Sequence, residues 1–185
     1  MSKLIVDVSY HNGVIDWNKV KAAGIQGAII RCGYGDNIAS QDDKQFKRNA
    51  DECTRLGIPW GVYIYSYAKT TAQAKSEAAH ALRLVAPYKG KMSYQIYYDL
   101  EQRGTESVAV QNGIVFGDII EAAGYWCGIY SGQYWYQKYI GNRLDRFTKW
   151  VARYSSQKPV GISGSYDMWQ YSSSGSVPGI NGRVD

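Results

Sequence analysis

The sequence predicts an α/β fold, a flattened and incomplete βα barrel with mostly parallel strands. Short β-rich runs alternate with longer helical patterns along the 185-residue chain. The β-rich runs are apolar enough to be covered on both faces, which is typical of parallel strands. Seven such runs favour a barrel over an open sheet, but a complete eight-unit barrel takes about 250 residues. We therefore expect one domain, residues 1–185, whose later units lack full helices.

The first half of the chain is predicted to form complete strand–helix units. The strand LIVDVS begins at Leu4, and Asp16 is placed to cap a helix that ends at Gly24. The strand GAIIRC follows, and then a polar helical stretch that closes at Gly57. The third strand, IPWGVYIYSYA, leads into the helix TAQAKSEAAHALRLVA, which Pro87 ends.

The second half departs from this alternation. The fourth strand, YQIYYDLE, precedes SVAVQNGIVFGDIIEAAG, a helical pattern that internal glycines weaken. The stretches YWCGIYSG and KWVARYS read as strands joined by the short segment QYWYQKYIG, and YDMWQYSS reads as a seventh strand. A Ser/Gly-rich loop then runs to NGRVD, where an eighth strand is possible.

Composition argues against several classes of function. No apolar run approaches the ~20 residues needed to cross a bilayer, so membrane insertion is not expected. The N-terminus does not resemble a secretory signal. The net charge of +5 is scattered and has no basic-aromatic motif beside it, so nucleic acid is not an expected partner. Two histidines and three cysteines, His11, His80, Cys32, Cys53 and Cys127, are widely spaced. This spacing does not match a metal site, so we expect the cysteines to be buried thiols. No metal and no cofactor are expected.

The aromatic composition favours a carbohydrate partner. The chain has 17 Tyr and 6 Trp but only 3 Phe. Most of these rings are expected to pack in the core. Rings with a polar group nevertheless suit sugars, which present C–H faces and hydroxyl edges.

Polar and aromatic residues fall at the C-terminal ends of the predicted strands, where a parallel barrel carries its chemistry. They are Asp7, Arg31, Tyr65, Asp99, Glu101, Tyr130, Trp169 and Gln170, with Asp185 where an eighth strand would lie. Residues i and i+2 of a strand share a face about 6.6 Å apart, so Asp99 and Glu101 should enter the mouth while Leu100 faces the helices. Repulsion keeps a proton on one acid of such a pair, which suits cleavage of a glycosidic bond. Alternatively, both acids are simply solvated, and Asp7 belongs to a turn.

Six stretches in order resemble glycoside hydrolase family 25, the Chalaropsis-type lysozymes of phage endolysins and bacterial autolysins. They are IVDVSYHNGVIDW, GVYIYSYA, YYDLE, GIYSG, KWVARYS and MWQYSSSGSVPGINGRVD. The resemblance spans Leu4 to Asp185 and implies a TIM-like barrel with N-acetylmuramidase activity on bacterial peptidoglycan. A chitinase-like glycosidase, or a wall-sugar-binding module without catalysis, is the alternative.

The resemblance also implies residue roles. Glu101 matches the general acid, Asp99 the acid that supports the substrate, and Asp7 and Asp185 two further acids of the site. Tyr65, Tyr130 and Trp169 match groove aromatics, and the strand-end residues Arg31 and Gln170 complete the expected substrate-binding set. The placing of Asp99 and Glu101 on one strand favours attack by the substrate's own acetamido oxygen, with retention. Inversion, with Asp7 or Asp185 activating water, is the competing mechanism.

The family motif usually continues past Asp185 to an Asn, and many members carry wall-binding repeats after it. We therefore expect a catalytic domain taken from a longer protein. With no signal recognised, the enzyme is expected to be made in the cytoplasm, to need a separate release factor, and to act at the bacterial cell wall.

Overall fold

The computed structural model describes residues 3–185 and contains one seven-stranded sheet whose strands follow chain order. The strands are β1 (Ile5–Val8), β2 (Gly27–Tyr34), β3 (Trp60–Tyr65), β4 (Ile96–Asp99), β5 (Cys127–Gly132), β6 (Thr148–Ala152) and β7 (Met168–Gln170). Every neighbouring pair is parallel. Within residues 3–185 no ladder joins β7 to β1. The predicted incomplete barrel is confirmed.

Helices cover the outer face of the first half more fully than that of the second. They are α1 (Trp17–Ala22), α2 (Phe46–Leu56), α3 (Thr71–Val85), α4 (Ala109–Ala122) and α5 (Gln133–Trp135), which continues as a π-helical turn (Tyr136–Ile140). In the described chain, the connection from β6 to β7 contains no helix. The predicted loss of full helices in the later units is thus confirmed.

Local chemistry sets several helix ends where the sequence predicted them. The side chain of Asp16 accepts a hydrogen bond from the backbone N–H of Lys19 at 3.2 Å, which caps α1. Thr70 caps α3 through the N–H of Gln73. Helix α2 ends at Gly57, whose φ of 66° is a left-handed conformation that glycine adopts without a steric penalty.

The apolar core lies between the sheet and the helices, and includes Trp17, Trp60, Tyr98 and Phe116. A smaller cluster, Ile29, Tyr97, Tyr130 and Trp150, occupies the inner face of the curled sheet. Successive strand residues point to opposite faces, so the neighbours Tyr97 and Tyr98 belong to different clusters. The three cysteines are free and buried, as predicted.

The C-terminal segment packs against the start of the chain without forming an eighth strand. Gly175 and Val184 make a single antiparallel bridge. The N–H of Asp7 donates to the carbonyl of Asp185 at 2.9 Å, and the Asn12 side chain donates to the carbonyl of Arg183. These contacts bring the last residues to the C-terminal end of β1. No helix within residues 3–185 is long and apolar enough to cross a membrane.

Candidate active site

A cavity of about 330 Å³ opens at the C-terminal ends of the strands. Four acidic side chains line it, those of Asp7, Asp99, Glu101 and Asp185. Asp7 lies on β1 and Asp99 ends β4, whereas Asp185 reaches the cavity through the C-terminal segment. The structure thus brings together four carboxyl groups from distant parts of the sequence, as predicted.

Asp99 is buried without a hydrogen-bond partner for its Oδ1 atom. Only 3% of the residue is exposed. Burial raises the pKa of its carboxyl well above the usual range, and the charges of Glu101 and Asp7 raise it further. A buried acceptor without a hydrogen-bond partner lowers the stability of the folded chain, and more so when the carboxyl is ionised.

Glu101 is exposed at the mouth of the same cavity. Its pKa is also raised, first by desolvation from the surrounding protein atoms and second by the Asp185 carboxylate. Leu100, between the two acids, is buried in the core beside the helices, as predicted. The two acids therefore meet in one cavity but differ in solvent access. The exposed Glu101 suits a proton donor, and the buried Asp99 suits a carboxylate that faces a developing positive charge.

Asp7 accepts a hydrogen bond from a side chain on β7, at the far edge of the sheet. The amide of Gln170 donates to Asp7 Oδ2 at 2.9 Å. Tyr130 OH donates to Gln170 Oε1 at 2.7 Å, and Tyr154 OH donates to the same oxygen at 3.2 Å. Gln170 and Tyr130 line the cavity as predicted, but their polar groups are used within the protein. Gln170 contacts Asp7 directly, and Tyr130 contacts Gln170.

The pKa of the Asp7 carboxyl reflects two opposing influences. Burial raises it well above the usual range, and the nearby carboxylate of Asp185 adds to this. A hydrogen bond from Tyr63 and the positive charge of Arg31 oppose the rise. The ionisation of Asp7 is therefore linked to the other groups of the cavity.

The cavity has an aromatic wall, to which Tyr63, Tyr65, Tyr130, Trp150 and Tyr154 contribute. Tyr65 and Tyr130 were predicted here. Trp169 is not among the cavity-lining residues, and its indole N–H donates to the carbonyl of Arg153 at 2.8 Å. Because neighbours on a strand alternate between faces, Gln170 pointing inward turns Trp169 away.

A buried network that sequence reasoning missed supports the loop after β3. Glu77 on α3 accepts hydrogen bonds from the Ser66 and Tyr98 hydroxyls and from the backbone N–H of Tyr67. The N–H of Ser66 also donates to the carbonyl of Asp99 at 3.1 Å. Glu77 read as an ordinary helix residue, since nothing in a helical pattern distinguishes a buried carboxylate.

The family model of the glycosyl hydrolases family 25 matches residues 6–180 of this chain. The match includes all but the first residue of β1, the whole of β2 to β7, and three of the four acids. The chain belongs to glycosyl hydrolase family 25. The family predicted from the six ordered sequence stretches is confirmed.

Three relatives illustrate the membership. An "Autolytic lysozyme" of Clostridium acetobutylicum is 27% identical over 97% of this chain and 53% of its own length. The modular autolysin LytC of Streptococcus pneumoniae, solved with a synthetic peptidoglycan ligand, is 34% identical with a TM-score of 0.84. That similarity covers 99% of this chain and 45% of LytC.

The third relative is the catalytic domain of endolysin ply40 from a bacteriophage of Listeria monocytogenes. It is 25% identical with a TM-score of 0.84, over 100% of this chain and 91% of the solved chain. This family 25 chain thus spans about half the length of the autolysins it resembles and nearly all of the endolysin catalytic domain.

Proposed function

We propose that this chain is an N-acetylmuramidase, a lysozyme that cleaves the β-1,4 bond between N-acetylmuramic acid and N-acetylglucosamine in peptidoglycan. The observation that carries the proposal is the pairing of exposed Glu101 with buried Asp99, whose Oδ1 has no partner, in one cavity with an aromatic wall. Family membership and the autolysin and endolysin relatives support the same reaction class.

In the first step, Glu101 donates its proton to the glycosidic oxygen, and the bond from that oxygen to the anomeric carbon breaks. The acetamido oxygen of the same sugar forms a new bond to the anomeric carbon, giving a cyclic oxazolinium ion. Asp99 accepts a hydrogen bond from the acetamido N–H and stabilises the positive charge that develops there. The position of Asp99 in the cavity lining beside Glu101 suits this role.

In the second step, water attacks the anomeric carbon, and the ionised Glu101 takes its proton. The bond to the acetamido oxygen breaks, and the product keeps the β configuration because two displacements have occurred at the same carbon. Asp7 and Asp185 hold the protonation states of the network, with Asp7 fixed by Gln170.

The proposed partner is bacterial peptidoglycan and the proposed place of action is the cell wall. Tyr65 and the other rings of the wall would contact the sugar faces. Three expectations from the sequence stay predictions. They are a cytoplasmic origin without a signal peptide, the need for a separate release factor, and a single catalytic domain, residues 1–185, within a longer protein.

The test is digestion of purified peptidoglycan by the chain and by Glu101→Gln, with mass spectrometry of the borohydride-reduced products. We expect fragments that end in reduced muramic acid, and a rate about 10²–10⁴-fold lower for the variant. Glu101 is exposed, so thermal unfolding of the variant should match the parent. Reduced glucosamine ends would identify a glucosaminidase instead. An absence of cleavage by the folded parent would contradict the proposal and favour a wall-binding module.

A further inference from the structure

A buried ion pair joins the cavity to the loop after β2. Arg31 Nε lies 2.9 Å from Asp43 Oδ2, with the Arg31 side chain 11% exposed and that of Asp43 fully buried. Buried pairs often contribute no more stability than apolar residues of the same size. A role other than stability therefore has to be considered for this pair.

Asp43 is fixed by its surroundings. Its Oδ2 also accepts the backbone N–H of Tyr10 at 3.0 Å, and its Oδ1 accepts the N–H of Gln45 at 2.9 Å. With Arg31, three N–H groups from three segments hold the carboxylate. Such a carboxylate is a rigid support for the guanidinium.

The guanidinium is constrained on other sides too. Its carbon lies 4.8 Å from the centre of the Tyr10 ring and 5.9 Å from that of Tyr34. The pairing of β2 with β3 shifts register between Arg31 and Gly33, and a bulge of this kind re-aims the side chains beside it. Arg31 lines the cavity, and its Nη2 atom is buried without a hydrogen-bond partner.

The cavity needs a positive charge because four carboxyl groups converge in it. Among the described residues that line it, the two arginines are Arg31 and Arg183, and Arg183 is exposed to solvent. The charge of Arg31 lowers the pKa values of both Asp7 and Asp99, against the larger effect of burial. An exposed charge is screened by water, whereas a buried one keeps its effect.

We propose that Arg31, held in place by Asp43, is a positioning residue that acts as the fixed counter-ion of Asp7 and Asp99. Its positive charge favours the ionised forms of these two buried acids, against the effect of burial, and so favours the location of the catalytic proton on Glu101. The inference rests on the proposed muramidase reaction and extends it to Asp43, a residue outside the cavity lining.

The groups that act on this centre come from several elements. Those near Arg31 are Asp7 on β1, Tyr10 after β1, Tyr34 on β2, Asp43 after β2, Tyr63 on β3 and Asp99 on β4. Glu101, Asp185, His11 and Arg183 also line the cavity. The test must therefore separate the effect of Arg31 from a general change in the titration of the cavity.

Two substitutions that shift the titration in opposite directions provide this separation. Arg31→Gln removes the counter-ion, so the pKa values of Asp7 and Asp99 should rise. Asp43→Asn keeps an amide oxygen that can accept the Arg31 hydrogen bond but removes the negative charge that compensates the guanidinium, so the same pKa values should fall. Carboxyl-carbon NMR across a pH series measures them in the full chain, without substrate. Thermal unfolding checks that each variant is folded.

Activity gives a second readout. The acid limb of kcat/KM against pH should move up by about one pH unit or more in Arg31→Gln and down in Asp43→Asn. Arg31→Lys keeps a charge and should leave the limb close to that of the parent. A purely structural pair would lower stability and rate in both variants without opposite shifts.

Two results would overturn the inference. One is a folded Arg31→Gln variant in which the carboxyl titrations and the acid limb stay where they are in the parent. The other is a rise in KM with an unchanged acid limb, which would make Arg31 a substrate ligand. If the parent lacks muramidase activity, the proposed function fails, while the NMR titration still decides the role of Arg31.

Discussion

At the scale of single residues, Asp99 and Glu101 show how far a short motif can be read. Their spacing predicted that both would enter one cavity, and it predicted the burial of Leu100. It could not predict that Asp99 would be buried and Glu101 exposed, because that depends on the strands that flank β4. The division of roles between the two acids follows from this difference in burial.

Because Asp99 is buried, ionisation of its carboxyl lowers the stability of the folded chain. The substitution Asp99→Asn would remove this cost. Because the folded state raises the pKa, the native chain binds this proton more tightly than the unfolded chain. Stability therefore falls as the pH rises from the unfolded value, about 4, through the folded one. We expect Asp99→Asn to unfold at a higher temperature than the parent at neutral pH. The difference between the two unfolding temperatures should become smaller towards pH 4.

Activity should change in the opposite direction, because Asn cannot stabilise the positive charge on the acetamido group. A loss of about 10²-fold or more in kcat is expected. Calorimetry across a pH series and the digestion assay measure the two effects. A variant less stable than the parent at every pH would contradict this view of Asp99.

The alternation of side chains along a strand explains why Trp169, predicted to line the groove, lies outside the cavity wall. Trp169 and Gln170 are neighbours on β7, and only one of them can face the cavity. Gln170 faces it, and Trp150 on β6 supplies the indole of the wall. The stretch MWQY does not show which neighbour points inward, since the face depends on pairing with β6.

At the scale of elements, α4 is the helix whose pattern in the sequence is interrupted by glycines. Both glycines are buried on the face that packs against the segment after the π-helical turn. A Cβ atom on Gly113 would lie 2.9 Å from Leu144 Cδ1, and one on Gly117 would overlap the Phe147 ring. The glycines that weaken the helical pattern thus allow the close approach of the two segments.

Gly117→Ala should therefore destabilise the chain. Overpacking of this kind costs about 1–3 kcal/mol, more than the gain of up to about 1 kcal/mol from alanine's helix propensity. Gly113→Ala is the matched control, since its contact is the flexible end of a leucine, and it should cost less. Urea unfolding measures both. Equal stability of the two variants would contradict the packing account.

At the scale of the whole molecule, the strands of the sheet could be predicted from the sequence, but the contacts between the C-terminal segment and β1 could not. Seven strands and the main helices carry strong local patterns, and their order in the sheet follows the chain. The C-terminal segment forms one bridge within itself, between Gly175 and Val184, and meets the end of β1 through a hydrogen bond from the Asp7 N–H to the Asp185 carbonyl. No local pattern encodes such contacts. They nevertheless place the fourth acid in the cavity.

The most direct test of the proposed reaction is proton NMR of a soluble peptidoglycan oligosaccharide during digestion by the chain. We expect the first new reducing end to belong to N-acetylmuramic acid and to be the β anomer, with the α anomer appearing later by mutarotation. An initial α anomer would contradict the substrate-assisted mechanism, and an N-acetylglucosamine reducing end would contradict the muramidase assignment itself.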